Sequence, residues 1–231
     1  MKKVLVMAAL VGAAGAAHAE DSALAGFYAG GHVARVQATM SIEDSDCWYE
    51  CSSYTQDANG FDFGVQGGYN WVQDNFLMGV SLEYTAGGAD ETYDYAGYGS
   101  PDNMHAISEL KNLASLRFRA GLTMGKTAVV ISTGPAQGDF DSKFLDRDDG
   151  NPSATQYAAE QTGNVSGWVN GINIEHAFAD NIVAGVGYSN YVFDDDYDIM
   201  RDQTTGAISG DYQVKFINSA SSTNFFVNYQ F

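Results

Sequence analysis

The sequence predicts an all-β fold, an eight-stranded antiparallel up-and-down β-barrel that crosses a membrane. Three observations carry this prediction. The N-terminus has the features of a secretory signal, the following chain holds eight segments of alternating side-chain character, and the connections between these segments alternate between short and long. Membrane-spanning barrels have this pattern, with tight turns at one end and longer loops at the other.

Residues 1–19 predict a cleaved signal peptide. Two lysines precede an apolar stretch rich in Ala, Val and Leu, and small residues lead up to Ala19. This order is typical of secretory signals, and the apolar stretch is shorter than the roughly 20 residues of a membrane-spanning helix. We therefore expect cleavage between Ala19 and Glu20 and a barrel domain over residues 20–231.

The composition favours strands and excludes one class of partner. The chain contains 26 Gly, 14 Tyr, 13 Phe and only 3 Pro, which favours strands joined by tight turns. It carries 11 basic and 29 acidic residues, and loss of the two signal lysines would leave a net charge of −20. Nucleic acid is therefore not an expected partner, because phosphate binding needs clustered Lys and Arg. No cofactor is expected.

Residues 61–71 show the strand pattern most clearly. Their odd positions carry Phe, Val, Gly, Tyr and Trp, whereas their even positions carry Asp, Gly, Gln and Asn. This period of two is that of a strand with two unlike faces. The same alternation predicts strands over 27–34, 76–84, 115–122, 128–133, 168–178, 182–192 and 224–231. The segment 128–133 is apolar on both faces, so its inward side stays open.

The connections are predicted from their polar composition. Short turns are expected at 72–75, 124–126 and 179–181. Long polar loops, which hold most of the acidic residues, are expected at about 36–60, 86–112, 135–164 and 194–218.

The strand faces predict where the lumen lies. Bulky apolar side chains fill one face and small or polar ones the other, which suits lipid outside and a narrow interior. The residues expected to form a polar network in the lumen are His32, Asp62, Gln66, Glu83, Arg117, Arg119 and Glu175. Arg117 and Arg119 follow Glu83 by one strand, so ion pairs between strands are expected. Aromatic girdles at the membrane surfaces are expected from Tyr69, Trp71, Tyr84, Tyr188 and Tyr191.

Two further features concern the predicted loops. Cys47 and Cys51 lie four residues apart, and an oxidising compartment predicts a disulfide between them; zinc would need two more ligands. The acidic runs 146–149 and 194–198 are interpreted as solvated loop residues, since their spacing does not fit an EF-hand. No metal site is predicted, and weak calcium binding that bridges to lipopolysaccharide phosphates stays a hypothesis.

Three motifs carry a resemblance to a known family. They are Gly26-Phe27-Tyr28-Ala29-Gly30-Gly31, the Gly-rich stretch 64–69, and the C-terminal segment 225–231. The chain resembles the small eight-stranded outer-membrane β-barrel proteins of the OmpA/OmpX and opacity or surface-immunogenic porin type. The resemblance implies the bacterial outer membrane, with its lipid and lipopolysaccharide as surroundings and a monomeric barrel. It also implies that Val227, Tyr229 and Phe231 form the signal read by the outer-membrane assembly machinery.

The expected function is a structural and surface-display role, with a lumen filled by side chains. An eight-stranded barrel leaves an interior about wide enough for side chains. One alternative is a narrow porin or channel for small solutes. Another is a barrel enzyme that modifies lipid, for which His176 falls on the lipid-facing side. That alternative lacks a nearby Ser and a Gly-x-Ser-x-Gly motif, so no catalytic residue is predicted.

Overall fold

Nine antiparallel strands are found in the computed structural model, which describes residues 22–44, 53–96, 103–148, 151–202 and 208–231. The strands are β1 (Gly26–Asp44), β2 (Ser53–Gln73), β3 (Phe76–Ala96), β4 (Asn103–Met124), β5 (Thr127–Asp148), β6 (Asn151–Ala179), β7 (Ile182–Phe193), β8 (Asp196–Asp202) and β9 (Ile208–Gln230). Their order in the sheet is β1-β2-β3-β4-β5-β6-β7-β9, and β1 also pairs with β9. The sheet therefore closes into a barrel.

The seventh position of the ring is shared by two strands. β7 pairs with the part of β9 from residue 219 to 229, and β8 pairs with the part from 208 to 216. Asp194 and Asp195 interrupt the strand between them. The ring thus has eight positions, and the prediction of an eight-stranded antiparallel up-and-down barrel is confirmed.

Tight turns join the strands at one side of the barrel. The start of β1 and the end of β9 lie at this same side. Asp74–Asn75, Gly125–Lys126 and Asp180–Asn181 connect neighbouring strands at the predicted positions. Asp74 and Gly125 have φ angles of 54° and 63°. Two-residue hairpin turns require such positive values because their twist must match that of the strands.

The prediction of long polar loops is wrong, because the strands continue through most of those stretches. β1 runs to Asp44 and β2 begins at Ser53, whereas a loop was expected at about 36–60. The other three stretches are likewise largely strand. The alternation persists there in a less visible form: Val36, Ala38 and Met40 are buried, and polar residues lie between them.

The two faces of the sheet exchange their character along the barrel. From the turns to the level of Val33, the outer face is apolar, with Phe63 69% and Ile131 61% exposed, and the inner face is polar except at the turn end. Beyond Val33, the outer face of β1 becomes polar, starting with Arg35, and the inner face becomes apolar. The first part therefore suits lipid and the second suits water. We call the second part the extension; it comprises residues 35–44, 53–60, 89–96, 103–112, 136–148, 151–166, 194–202 and 208–219.

Apolar side chains close the turn end of the lumen. Leu24, which precedes β1, is buried in a cluster with residues that include Val72, Leu77, Val130 and Val183. The side-chain amide of Asn70 donates a hydrogen bond of 3.1 Å to the carbonyl oxygen of Leu24. This cluster also shows that Val130 faces inward, which answers the question left open for residues 128–133.

Two further apolar clusters fill the lumen on the side of the extension, beyond the level of Val33. The lower one includes Val36, Leu110, Phe140, Val169 and Phe193. The upper one contains Met40, Ile42, Ala106, Phe144, Ala159, Met200, Val214 and Phe216. A polar contact separates them, in which the Asn218 amide donates to Oε1 of Gln161 at 2.6 Å. The extension is thus built like a water-soluble barrel, with an apolar inside.

Candidate functional site in the barrel lumen

A polar layer occupies the lumen between the cluster at the turn end and the clusters of the extension. The structure places all seven residues of the predicted network there. His32, Asp62, Arg117, Arg119 and Glu175 are at most 6% exposed. Gln66 and Glu83 are partly buried and line the same small cavity, which is described below.

Arg117 on β4 contacts residues on several strands. Its Nε donates to Oγ of Ser115 at 2.9 Å, and its Nη1 donates to Oγ of Ser189 at 2.8 Å. Its Nη2 lies 2.6 Å from the hydroxyl oxygen of Tyr191 and 3.0 Å from Oε2 of Glu83. A guanidinium offers five N–H donors, so one side chain joins β3, β4 and β7. The pairing with Glu83 offsets the cost of burying both charges.

Arg119 forms a second ionic group nearer the turn end. It makes an ion pair with Glu175 on β6 and donates a hydrogen bond to the hydroxyl of Tyr28 on β1. Its guanidinium carbon lies 5.2 Å from the centre of the Tyr28 ring. The ring has room only because residue 68 is a glycine, since a Cβ atom there would lie 2.8 Å from the Tyr28 hydroxyl. Gly68 therefore positions the ring that supports the arginine.

The remaining space in this layer is small. A cavity of about 10 Å³ is lined by Tyr28, Gln66, Ser81, Glu83, Arg117, Arg119, Ser132, Asn173 and Glu175. That volume holds roughly one water molecule. Gln66 closes one side by donating from Nε2 to Oδ1 of Asn228 at 2.8 Å. The polar layer is therefore closely packed around this cavity.

His32 and Asp62 lie where the polar layer meets the apolar cluster above it. Nε2 of His32 is 2.9 Å from Oγ1 of Thr85, and the ring packs against the backbone of Gly64. Asp62 packs against the backbone of Gly87. Among the described residues, none hydrogen-bonds Oδ1 of Asp62 or Nδ1 of His32.

The assignment of Tyr191 to an aromatic girdle is wrong. Tyr191 is 1% exposed and lies inside the barrel, whereas Tyr188 on the same strand is 49% exposed. The outward positions of β7 are even-numbered, so strand parity was the signal that could have placed Tyr191 inside. Tyr69, Trp71, Tyr84 and Tyr188 lie on the outer face as predicted.

The acidic run 194–198 is largely exposed, as expected of solvated residues, but only Asp194 and Asp195 lie outside a strand. Asp196 and Asp198 belong to β8, and Oδ2 of Asp198 accepts a hydrogen bond of 2.9 Å from the backbone N–H of Glu160. Asp195 lies 3.0 Å from Nζ of Lys215, and this hydrogen bond raises the pKa of Lys215. These carboxylates hold β8 against β6 and β9 where the strand is interrupted.

Several predicted features lie outside the described residues. These are the signal peptide, its cleavage site at Ala19 and Glu20, and the cysteine pair Cys47 and Cys51. Within the described ranges, no group of three or more His, Cys, Asp or Glu side chains could hold a metal ion. A search of the same ranges for a helix of membrane-crossing length and hydropathy found none.

His176 lies on the outer face near the turn end of β6. Its Nδ1 is 2.9 Å from Oγ1 of Thr127, and its ring is 4.8 Å from the ring of Phe178. The hydroxyl beside the imidazole thus comes from a threonine on the neighbouring strand, and the second neighbour is apolar. His176 therefore packs with a threonine and a phenylalanine, as side chains at a membrane surface do. It does not have the serine that a catalytic nucleophile with a histidine base would need.

The predicted assembly signal lies at the end of β9. Val227, Tyr229 and Phe231 are 42%, 46% and 79% exposed on the outer face. The rings of Tyr229 and Phe231 are 5.2 Å apart, and the N–H of Phe231 donates to the carbonyl of Phe27 at 2.9 Å.

Comparison with known proteins agrees with a barrel that has an apolar outer belt. The family described as outer membrane protein beta-barrel domain matches residues 6–231. The chain therefore belongs to this family of outer-membrane β-barrel proteins, and it is located in the bacterial outer membrane.

Individual proteins of known name are also similar to this chain. The chain is 30% identical over 156 residues to the 31 kDa outer-membrane immunogenic proteins of Brucella melitensis and Brucella suis, a match that covers 67% of this chain and 62% of each relative. The chain thus aligns with less than two thirds of their length. The crystal structure of OprG from Pseudomonas aeruginosa is similar with a TM-score of 0.56 and 13% identity, over 91% of this chain and 99% of OprG. That similarity concerns the fold.

Proposed function

We propose that this outer-membrane barrel has a structural and surface-display role and does not form an open pore. The observation that carries the proposal is the filling of the lumen. The Leu24 cluster closes the turn end, the Arg117 and Arg119 groups fill the middle, and two apolar clusters occupy the extension.

The energies of these contacts favour a closed barrel. Separating Arg117 from Glu83 inside the lumen would cost about 3–5 kcal/mol, because each charge would stay buried without its partner. A cost of that size makes an open state rarer than roughly one molecule in a hundred. A solute would also have to displace Phe140 and Phe193, whose rings pack edge to face at 4.9 Å.

The surface role is supported by the extension and by the relatives. The outer face of the extension is polar, so it suits the aqueous side of the membrane. The Brucella relatives are named as immunogenic proteins. We assign this chain a similar role, in which the extension is exposed at the cell surface.

Planar-bilayer recording tests the proposal. Purified protein is expected to give no steady conductance in membranes where a known outer-membrane porin gives regular steps. Steady, size-selective steps from the purified protein would instead establish the narrow porin for small solutes. A heat-modifiability gel on the same sample shows whether the barrel is folded.

The same proposal includes the absence of catalysis and a monomeric state. The absence of catalysis is supported by Thr127, and not a serine, lying beside His176. The His176→Ala variant is expected to leave the lipid profile of the outer membrane unchanged. A changed acylation pattern in the His176→Ala strain, restored to normal by the wild-type gene, would contradict the absence of catalysis.

A further inference from the structure

A row of neutral polar side chains crosses the outer face of the barrel near the outer membrane boundary. Thr133, Asn170, Asn190 and Ser221 are direct neighbours across β5, β6, β7 and β9, and Gln37 continues the row on β1. With strands about 4.8 Å apart, the row from Thr133 to Ser221 is about 15 Å long. Thr133, Asn170 and Asn190 are exposed.

The part of the row formed by Thr133, Asn170 and Asn190 lies within an apolar surface, whereas Ser221 is flanked by Ser219 and Thr223. On the side of the extension it is bordered by Trp168 and Val192, which are 49% and 56% exposed. On the side of the turns it is bordered by Ile172 and Tyr188, which are 48% and 49% exposed. Amides facing hydrocarbon are costly unless they find hydrogen-bond partners. A bare hydrocarbon environment does not explain why amides occupy these positions.

The row is held in place by hydrogen bonds between outward side chains. The indole N–H of Trp168 donates to Oγ1 of Thr133 at 2.7 Å. Thr133 donates in turn to Oδ1 of Asn170 at 2.8 Å. The amide N–H₂ of Asn170 is thereby directed away from Thr133. The arrangement offers fixed donors and acceptors to a molecule on the lipid side.

A cation lies at the end of the row. Arg35 on β1 is exposed and is the cross-strand neighbour of Thr223, which in turn neighbours Tyr188. No ion pair links Arg35 to any carboxylate of the described residues. Guanidinium groups bind phosphate through paired N–H donors.

We propose that this face, formed by Arg35, Thr133, Trp168, Asn170, Tyr188 and Asn190, binds an outer-leaflet lipid with a phosphorylated sugar headgroup. Arg35 binds a phosphate, and the amides and hydroxyls of the row bind sugar hydroxyl and amide groups. The aromatic side chains pack against the apolar faces of the sugar rings. The acyl chains lie on the apolar strip toward the turns, where Val33, Val186 and Phe225 are about half exposed.

Native mass spectrometry of the purified protein in detergent tests this proposal. The probes are diphosphorylated lipid A, dephosphorylated lipid A and phosphatidylglycerol at equal concentration. The wild-type protein is expected to retain diphosphorylated lipid A more strongly than phosphatidylglycerol. Arg35→Gln is expected to weaken retention of diphosphorylated lipid A about tenfold, as for one lost charge-assisted hydrogen bond, and to leave the dephosphorylated form unaffected.

Paired variants separate the row from general effects of charge and hydrophobicity. Asn170→Leu with Asn190→Leu is expected to weaken retention of both forms of lipid A. Thr162→Leu with Asn164→Leu makes a similar change on the exposed outer face of β6 in the extension and is expected to bind as wild type. Lys126→Gln, in a turn, is the control for the charge lost in Arg35→Gln. Heat-modifiability gels verify folding of each variant.

Three results would overturn the proposal. Equal retention of lipid A and phosphatidylglycerol would show no preference for a sugar headgroup. Wild-type binding by Arg35→Gln and by the Asn170 and Asn190 double variant would place the lipid elsewhere. A dimer that becomes monomeric in this double variant would show that a second copy of the chain covers the face.

Discussion

Arg117 and Tyr191 join opposite sides of the polar layer. The distance from Nη2 of the arginine to the hydroxyl oxygen of the tyrosine is 2.6 Å, although β5 and β6 lie between their strands in the sheet. Both side chains therefore extend into the lumen and meet there. Such a contact ties β4 to β7 without any backbone hydrogen bond.

Removing Arg117 should destabilise the barrel. Arg117→Ala leaves the Glu83 carboxylate buried without its cation, so the free energy of unfolding should fall by about 3–5 kcal/mol. Urea unfolding in lipid vesicles, followed by tryptophan fluorescence, measures this change. Replacing both Arg117 and Glu83 by Met should cost clearly less, because no charge is left unpaired. A single variant that unfolds at the wild-type urea concentration would contradict the assigned pairing.

Phe140 and Phe63 should respond in opposite ways to truncation. Phe140 is 1% exposed inside the extension, and Phe63 is 69% exposed on the outer face. Phe140→Ala should lower the free energy of unfolding by about 3–5 kcal/mol because it leaves a cavity, and Phe63→Ala should lower it much less. The same urea unfolding experiment compares them. Equal losses would mean that the extension lacks the packed apolar core assigned to it.

Phe231 should matter for assembly more than its contacts suggest. If the outer-membrane assembly machinery reads the end of β9, Phe231→Ala lowers the amount of folded barrel in the outer membrane. Phe178→Ala is the matched control, since Phe178, which is 69% exposed, is an outward phenylalanine near the same end of the barrel as Phe231, which is 79% exposed. Heat-modifiability gels of outer-membrane fractions give the folded amount. Similar losses in both variants would assign the effect to lost aromatic surface.

Lys215 should give a stability contribution that disappears at high pH. Its pKa is raised above the ordinary 10.5 by the hydrogen bond with Asp195. The contribution is therefore complete below pH 10.5 and is lost as the pH rises through the higher pKa of the folded state. Wild type and Lys215→Met should differ in urea midpoint at neutral pH and converge in strong alkali. High salt should reduce the difference between wild type and Lys215→Met at neutral pH.

The part of the barrel within the membrane could be predicted from the sequence because its outer face is made of large apolar residues. Phe63, Val65 and Trp71 alternate with small or polar residues, and this pattern has no good alternative to a strand. The same parity placed all seven polar residues of the network on the inner face. Only their positions along each strand were needed for that.

The extension was not predicted because its apolar side chains face inward and its outer face is polar. Ala38 and Ala58 are small inward residues that add little apolar signal, and the polar outer face made these stretches resemble loops. Alternation was still present, as Met40, Ser41 and Ile42 show. Within one strand, the apolar residues face outward in the membrane part and inward in the extension. A prediction that expects one apolar outer face along the whole strand therefore ends the strand too early.

The partners within the site could not be predicted from one sequence. The order of the strands in the sequence places Arg117 on the strand beside that of Glu83. The contacts of Arg117 with Ser189 and Tyr191, however, depend on barrel diameter and strand tilt. The row that contains Asn170 and Asn190 also depends on register. In the sequence these residues appeared only as exceptions on an otherwise apolar face.

The change of outer-face character at Arg35 sets how far the protein stands above the lipid. Nine further residues of β1 follow this point and end at Asp44. At about 3.3 Å per residue and a strand tilt of about 40°, they raise the top of the strand roughly 20–25 Å above the hydrocarbon. In the proposed surface-display role, an antibody or a host receptor that approaches the cell would thus meet hydrogen-bonded strands at the height of the surface sugars.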